Sequence, residues 1–197
     1  MMKRLIIVAA VLCTTVVVAA QQPAMGGMPM GAPPAGQHHE TLSPKAQAAA
    51  TINGKAITID YSSPRVKGRE GKIFTKDGLI SHDKDYPFWR AGANDATTLK
   101  TAAPIMIGNL MIPAGTYTLF VDISDPANWT LVVSKAVGEW GLDYDKTKDL
   151  GRVKMKMAKP GAMVENLTWT IAGTHGMDGT ITLAWENVSA SVPLMVH

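Results

Sequence analysis

Asn53-Gly54 stands between Ala49-Ala50-Thr51-Ile52 and Ala56-Ile57-Thr58-Ile59-Asp60-Tyr61. Asn-Gly tolerates the positive φ that a tight two-residue turn needs at both central positions, so the flanking runs read as a β-hairpin. Ile57, Ile59 and Tyr61 alternate with Thr58 and Asp60. That period of two turns one face to a core and the other to solvent. Upstream the reading divides: Ser43-Pro44 would either cap a short helix through Ala50 or lead into a strand ending at Ile52.

Downstream the same pattern recurs. Ile105-Met106-Ile107 and Leu110-Met111-Ile112 flank a second tight turn at Gly108-Asn109. Ile112-Pro113-Ala114-Gly115 has the Pro and Gly placement of a type I turn. Thr116-Tyr117-Thr118-Leu119-Phe120-Val121 alternates, with Tyr117, Leu119 and Val121 on one face. Asp125-Pro126-Ala127-Asn128 turns the chain into Trp129-Thr130-Leu131-Val132-Val133, and residues 136–150 form a polar excursion carrying Trp140 and Tyr144. Arg152-Val153-Lys154-Met155-Lys156-Met157 alternates basic and apolar side chains, as a half-solvated strand does. Strands over residues 164–171, 180–185 and 188–195 complete a set of nine or ten. Short turns and the lack of intervening helical patterns predict an all-β fold, an antiparallel β-sandwich of jelly-roll type.

The N-terminal residues obey different rules. Lys3-Arg4, an apolar run over residues 5–18 and Val18-Ala19-Ala20 have the charge, length and small-residue end of a cleavable export signal over residues 1–20. The run is too short for a stable membrane span, so no transmembrane segment is expected after its removal. Cys13, the single cysteine, lies inside that run without the small residues that precede a lipidated cysteine. Losing Lys3 and Arg4 brings 19 basic side chains to 17 against 16 acidic ones. So balanced a chain has no phosphate-binding field, and a nucleic-acid partner is excluded. Residues 21–42 read as a flexible Pro/Gly/Met-rich linker, in which Met25, Met28, Met30, His38 and His39 have copper(I)-type donors but no supporting second shell. Residues 43–197 make the single domain.

The stretch with most chemical character is Trp89-Arg90-Ala91-Gly92-Ala93-Asn94-Asp95-Ala96-Thr97-Thr98. In an extended strand Trp89 and Arg90 point opposite ways, the indole to a core and the guanidinium to a rim. It follows a long irregular segment, residues 62–88, with a basic loop at Ser63-Pro64-Arg65-Val66-Lys67-Gly68-Arg69 and a charged one at Ser81-His82-Asp83-Lys84-Asp85-Tyr86-Pro87. Loops of that length in a compact domain tend to cover or form a site. Arg65, Trp89, Arg90, Asn94 and Asp95 are the candidate ligand-binding set, because an arginine pair suits a carboxylate or phosphate and an indole beside amide and carboxylate groups suits a sugar. His82, Asp83 and Asp85 form a second candidate loop site. No nucleophile elbow, paired-histidine motif or calcium-loop spacing accompanies them, so no catalytic residue, metal or cofactor is assigned. Ser62 and Ser63, beside Pro64, read as turn chemistry.

From about Ser43 to Val196 the chain resembles the exported bacterial family called domain of unknown function 2911. Ile57-Thr58-Ile59-Asp60-Tyr61-Ser62-Ser63-Pro64 with Lys67-Gly68-Arg69 carries the resemblance, together with the Trp89 to Thr98 stretch. Ile112-Pro113-Ala114-Gly115-Thr116-Tyr117-Thr118-Leu119-Phe120, Trp129-Thr130 and Leu183-Ala184-Trp185-Glu186-Asn187 continue it in order. The resemblance implies no reaction and no ligand. Two features depart from the family pattern: Asp95 stands where a glutamate is usual, and residues 77–88 replace a compact Gly/Pro/Tyr loop.

The residues therefore point first to an exported, periplasmic or extracellular, non-enzymatic binding module for a small polar or carbohydrate-like ligand. A hydrolase using His82 with Asp83 or Asp85, and a structural envelope protein, are the alternatives.

Overall fold

The computed structural model describes residues 42–138 and 143–197. The segment read from sequence as an export signal and most of the one read as a linker, together with Trp140, lie outside these residues. Strand β1 (Lys45–Ile52) pairs along its whole length with β2 (Lys55–Ser62), and Asn53 and Gly54 between them take φ of 51° and 69°. The strand reading after Pro44 thus prevails over the helical one. Pairing satisfies the backbone of β1, and Ala48 and Ile52 fall on the same strand face and are buried.

The remaining strands are β3 (Phe88–Trp89), β4 (Thr97–Thr101), β5 (Ile105–Ile107), β6 (Leu110–Ile112), β7 (Gly115–Asp122) and β8 (Thr130–Ser134), then β9 (Asp149–Lys154), β10 (Lys156–Ala158), β11 (Val164–Gly173), β12 (Asp178–Glu186) and β13 (Val188–Val196). One sheet runs β1-β2-β4-β7-β8-β9, with β3 also on β7; the other runs β11-β12-β13-β5-β6, with β10 also on β13. All the pairs are antiparallel. Ile57, Ile59, Leu99, Leu119 and Val121 from the first sheet and Ile181, Leu183, Val192 and Leu194 from the second share one core. The fold is an antiparallel β-sandwich, as period-two patterning predicts.

Thirteen strands are present among the described residues, more than the alternation suggests, because the Trp89 to Thr98 stretch also joins a sheet and two runs are broken. The basic–apolar run splits at Met155: β9 belongs to the first sheet and β10 to the second, with Lys154 and Lys156 exposed and Val153 and Met155 buried. The second break, between β3 and β4, carries residues 90–96 out of the sheet.

Covers explain burial that alternation alone does not. Phe120, Val132, Thr118, Thr130 and Ser134 lie on the outer face of the first sheet yet are buried. The polar excursion meets two of them: Tyr144 stacks on Phe88 with ring centroids 4.3 Å apart and meets Phe120 at 5.0 Å, while the Thr118 hydroxyl donates to the Ala136 carbonyl. At the end of the sandwich the long segment after β2 inserts Ile73, Phe74 and Ile80. Phe74 sits 5.5, 4.9 and 5.7 Å from the rings of Trp89, Trp129 and Trp185. The pairs with Trp89 and Trp185 are edge-to-face, and such pairs add about 0.5–1.5 kcal/mol each beyond their buried area.

The sides of the sandwich are closed by β1 against β11 and β6 against β9. At the β6–β9 seam Gly151 lies under Leu110, and a Cβ there would overlap the Leu110 methyl groups. Gly151→Val is expected to cost about 1–3 kcal/mol by overpacking, a fall of roughly 2–12 °C in melting temperature. Adding Leu110→Ala should recover part of the loss; a double variant that melts no higher than Gly151→Val places the strain elsewhere. Among the described residues no helix is long and apolar enough to cross a membrane.

Candidate functional site

Trp89 pairs with Val121 and Thr97 with Leu119, so β3 and β4 are two halves of one strand laid along β7. Opposite the single residue Phe120, the chain leaves the sheet for residues 90–96 and then rejoins it. Two left-handed residues, Ala91 (φ 50°) and Asn94 (φ 57°), make the detour. The detour is held from inside. The Ala91 carbonyl accepts from the Trp169 indole N–H at 2.9 Å and from the Thr97 hydroxyl at 3.2 Å, all of it buried. Gly92 lies so close to Thr97 Oγ1 and the Ser62 carbonyl that a Cβ would meet them at 2.9 and 3.2 Å. These contacts fix the direction in which Arg90 leaves the core.

The second arm follows β2. Ser63 donates its hydroxyl to the Leu167 carbonyl at 2.7 Å, Leu167 N–H donates to Pro64 at 2.9 Å, and Val66 N–H donates to Glu165 at 2.8 Å. Arg65 is thereby bridged to Asn166 where β11 changes register. Lys67 (φ 49°) and Gly68 (φ 74°) then turn the chain back. The Arg69 guanidinium clamps this turn, donating from Nε to Val66 O at 3.0 Å and from Nη2 to Arg65 O at 2.6 Å. Ser63 is therefore a crosslink between sheets, and its hydroxyl proton is already placed on a carbonyl.

Between these arms, where β2, β3 and β12 finish, lies a cavity of about 450 Å³. Arg65, Lys67, Arg69 and Arg90 line it together with Asn94, and Asp83 is the one acid among its lining residues. Arg90 Nη1 lies 3.6 Å from Asp83 Oδ2, with side chains 14% and 22% exposed. The pair is close enough for charge attraction but too long for a hydrogen bond. Arg90 Nε and Nη1 and the Trp185 indole N–H are buried with no acceptor among the described residues. Burial pushes the Asp83 carboxyl above its ordinary value; Arg90 opposes this and Asp85 adds to it. Asp83 is held from behind: Lys84 Nζ pairs with Asp143 at 2.9 Å, and Asp85 accepts the Tyr144 backbone N–H at 2.8 Å.

Of the residues singled out in the sequence, Arg65, Arg90 and Asn94 line this one cavity. Trp89 does not; it is buried at 1% exposure behind the cavity, stacked on Trp185 at 6.0 Å, and Trp185 takes the lining position. Asp95 points into a separate groove and pairs with the exposed Lys45 at 3.4 Å. His82, Asp83 and Asp85 diverge: His82 is exposed, Asp83 faces Arg90, and Asp85 holds a backbone N–H. Among the described residues no group of three or more His, Cys, Asp or Glu side chains is placed to hold a metal ion. Lys67 and Arg69 had a signal in the basic loop. Trp185 had none, because nothing local distinguishes it from the other indoles.

Fold and site together define a class: an antiparallel β-sandwich with a cationic cavity at one end, built on an interrupted strand. Over residues 43–194 the chain matches the family described as protein of unknown function (DUF2911), and it belongs to that family. No curated protein and no solved structure matches the chain.

Because Asp83 holds its proton more tightly folded than unfolded, folding takes up protons between its ordinary value of 3.8 and the raised one. The contribution of this group to stability therefore falls as pH rises through that window. Asp83→Asn removes that component. Urea midpoints of the two proteins should show the variant gaining on the wild type as pH rises from below the carboxylate range to neutrality. A flat difference means that attraction to Arg90 offsets desolvation, and one that runs the other way means that it outweighs it; either contradicts the raised value.

Proposed function

We propose that this protein is a non-enzymatic binding module, exported to the periplasm or cell exterior, whose end cavity takes a small polar ligand bearing negative charge. The observation that carries the reading is Arg90: a largely buried guanidinium lining a cavity, with two N–H donors unmatched and a single carboxylate beyond hydrogen-bonding distance. A buried donor left without an acceptor costs on the order of 1–3 kcal/mol, and an incoming oxyanion would relieve that cost. Guanidinium groups match carboxylate and phosphate oxygens in a planar fork, which suits them better than a neutral hydroxyl. Export is supported by the charged start, apolar run and small-residue end of residues 1–20. The hydrolase alternative has less support, since Asp83 and Asp85 each have partners other than His82 and the Ser63 hydroxyl is committed to Leu167.

Thermal unfolding with a panel of small carboxylates, phosphates and neutral sugars tests the reading. A ligand present at about a hundred times its Kd stabilises by about 2.7 kcal/mol, a rise of roughly 5–11 °C for a domain of this size. The shift should come from anions, shrink as salt is added, and vanish in Arg65→Gln/Arg90→Gln with the circular dichroism unchanged. A panel in which no anion shifts the wild type, or in which sugars shift both proteins alike, contradicts it.

A further inference from the structure

We propose that the ligand is an organic carboxylic acid with an apolar body of several carbons, bound head-inward to Arg90 and Arg65. This rests on the cavity reading above and deepens it. The lining divides by chemistry: beside the cationic groups stand Leu42, Pro64, Leu79, Ile80 and Trp185. Leu42 and Leu79 are 76% and 38% exposed, and so belong to the few large apolar side chains this domain leaves in water. Both lie at the one cavity that also concentrates its arginines.

Other occupants match the lining less well. A hydrated inorganic anion would satisfy the guanidinium but leave most of the volume of about 450 Å³ unfilled and both leucines wet. Pockets of this size normally enclose much of an organic ligand against mainly apolar walls. A sugar would need an open aromatic face, and Trp185, at 1% exposure, presents none. A carboxylate on an alkyl or aryl body meets both halves of the lining.

Asp83 then acts as a specificity-determining residue. Its carboxylate lies beside the Arg90 group that the ligand's carboxylate would use, so the two negative charges compete. Its presence disfavours multiply charged anions more than singly charged ones, since repulsion scales with the ligand's charge.

Titration calorimetry of the purified protein with acetate, butanoate, hexanoate, octanoate and inorganic phosphate at one ionic strength tests this. Kd should fall with chain length, by up to about fourfold per methylene where the chain is covered, and octanoate should bind at least about tenfold tighter than acetate or phosphate. Leu79→Asn should flatten the chain-length dependence, weakening octanoate more than acetate. Arg90→Gln should weaken every acid, and Asp83→Asn should tighten them all, phosphate most. Binding of phosphate or acetate as tight as octanoate, with no dependence on length, overturns the organic-acid assignment and leaves the anion cavity standing. Failure of every probe to bind overturns both.

Discussion

The carbonyl of Ala91 accepts two buried hydrogen bonds, from the Trp169 indole in one sheet and the Thr97 hydroxyl in the other. An oxygen in the core has to be matched in this way or the chain will not leave it there. Its placement is what allows β3 to stop and β4 to resume along the same neighbour, β7, with residues 90–96 thrown outward between them. Trp89, just before the break, stays in the aromatic cluster; Arg90, just after it, is carried to the cavity. The change from apolar anchor to charged group occurs across one peptide bond, so the backbone that carries Arg90 is fixed next to the core.

The opposite wall depends on the same economy of placement. Ser63, Pro64 and Val66 tie the chain leaving β2 to β11 in the second sheet, and Arg69 caps the turn that follows. Two of the cavity's cations are thus structural as well as electrostatic. Arg65 is bridged by its backbone and Arg69 is occupied with carbonyls. Arg90 differs, since its guanidinium faces one distant acid and keeps donors unmatched. In a low-dielectric setting like charges crowd at a cost, and this is the setting in which Arg90 stands.

Much of the fold was legible because alternation and turn chemistry are local. Asn53-Gly54, Gly108-Asn109 and the Tyr117, Leu119, Val121 face all appear in the structure as read. What alternation does not carry is which strand faces are covered twice. Phe120 looks like the outward position of a half-buried strand, yet Tyr144 meets its ring and the side chain is buried. The lining of the candidate cavity was legible in part for the same reason. Arg65, Arg90 and Asn94 stood out as chemistry-bearing residues beside Gly and Pro, and the folded chain brings them together. Asp95 and Trp89 were grouped with them by proximity in sequence, yet a left-handed turn at Asn94 sends Asp95 to another groove and strand alternation keeps Trp89 inside. Trp185 enters the cavity through contacts across the sandwich, and no local pattern encodes a long-range neighbour.

The central claim is that the hydrogen bond from Trp169 to Ala91 holds the strand interruption, and with it Arg90, in place. Backbone hydrogen exchange in Trp169→Phe, which keeps an aromatic ring but removes the donor, tests it most directly. Losing one such buried bond should cost about 0.5–1.5 kcal/mol. Amides of residues 90–97 should exchange faster by roughly the factor that corresponds to this loss, while those of β12 and β13 keep their wild-type protection. Unchanged protection across residues 90–97, or a uniform loss over both sheets, would contradict it.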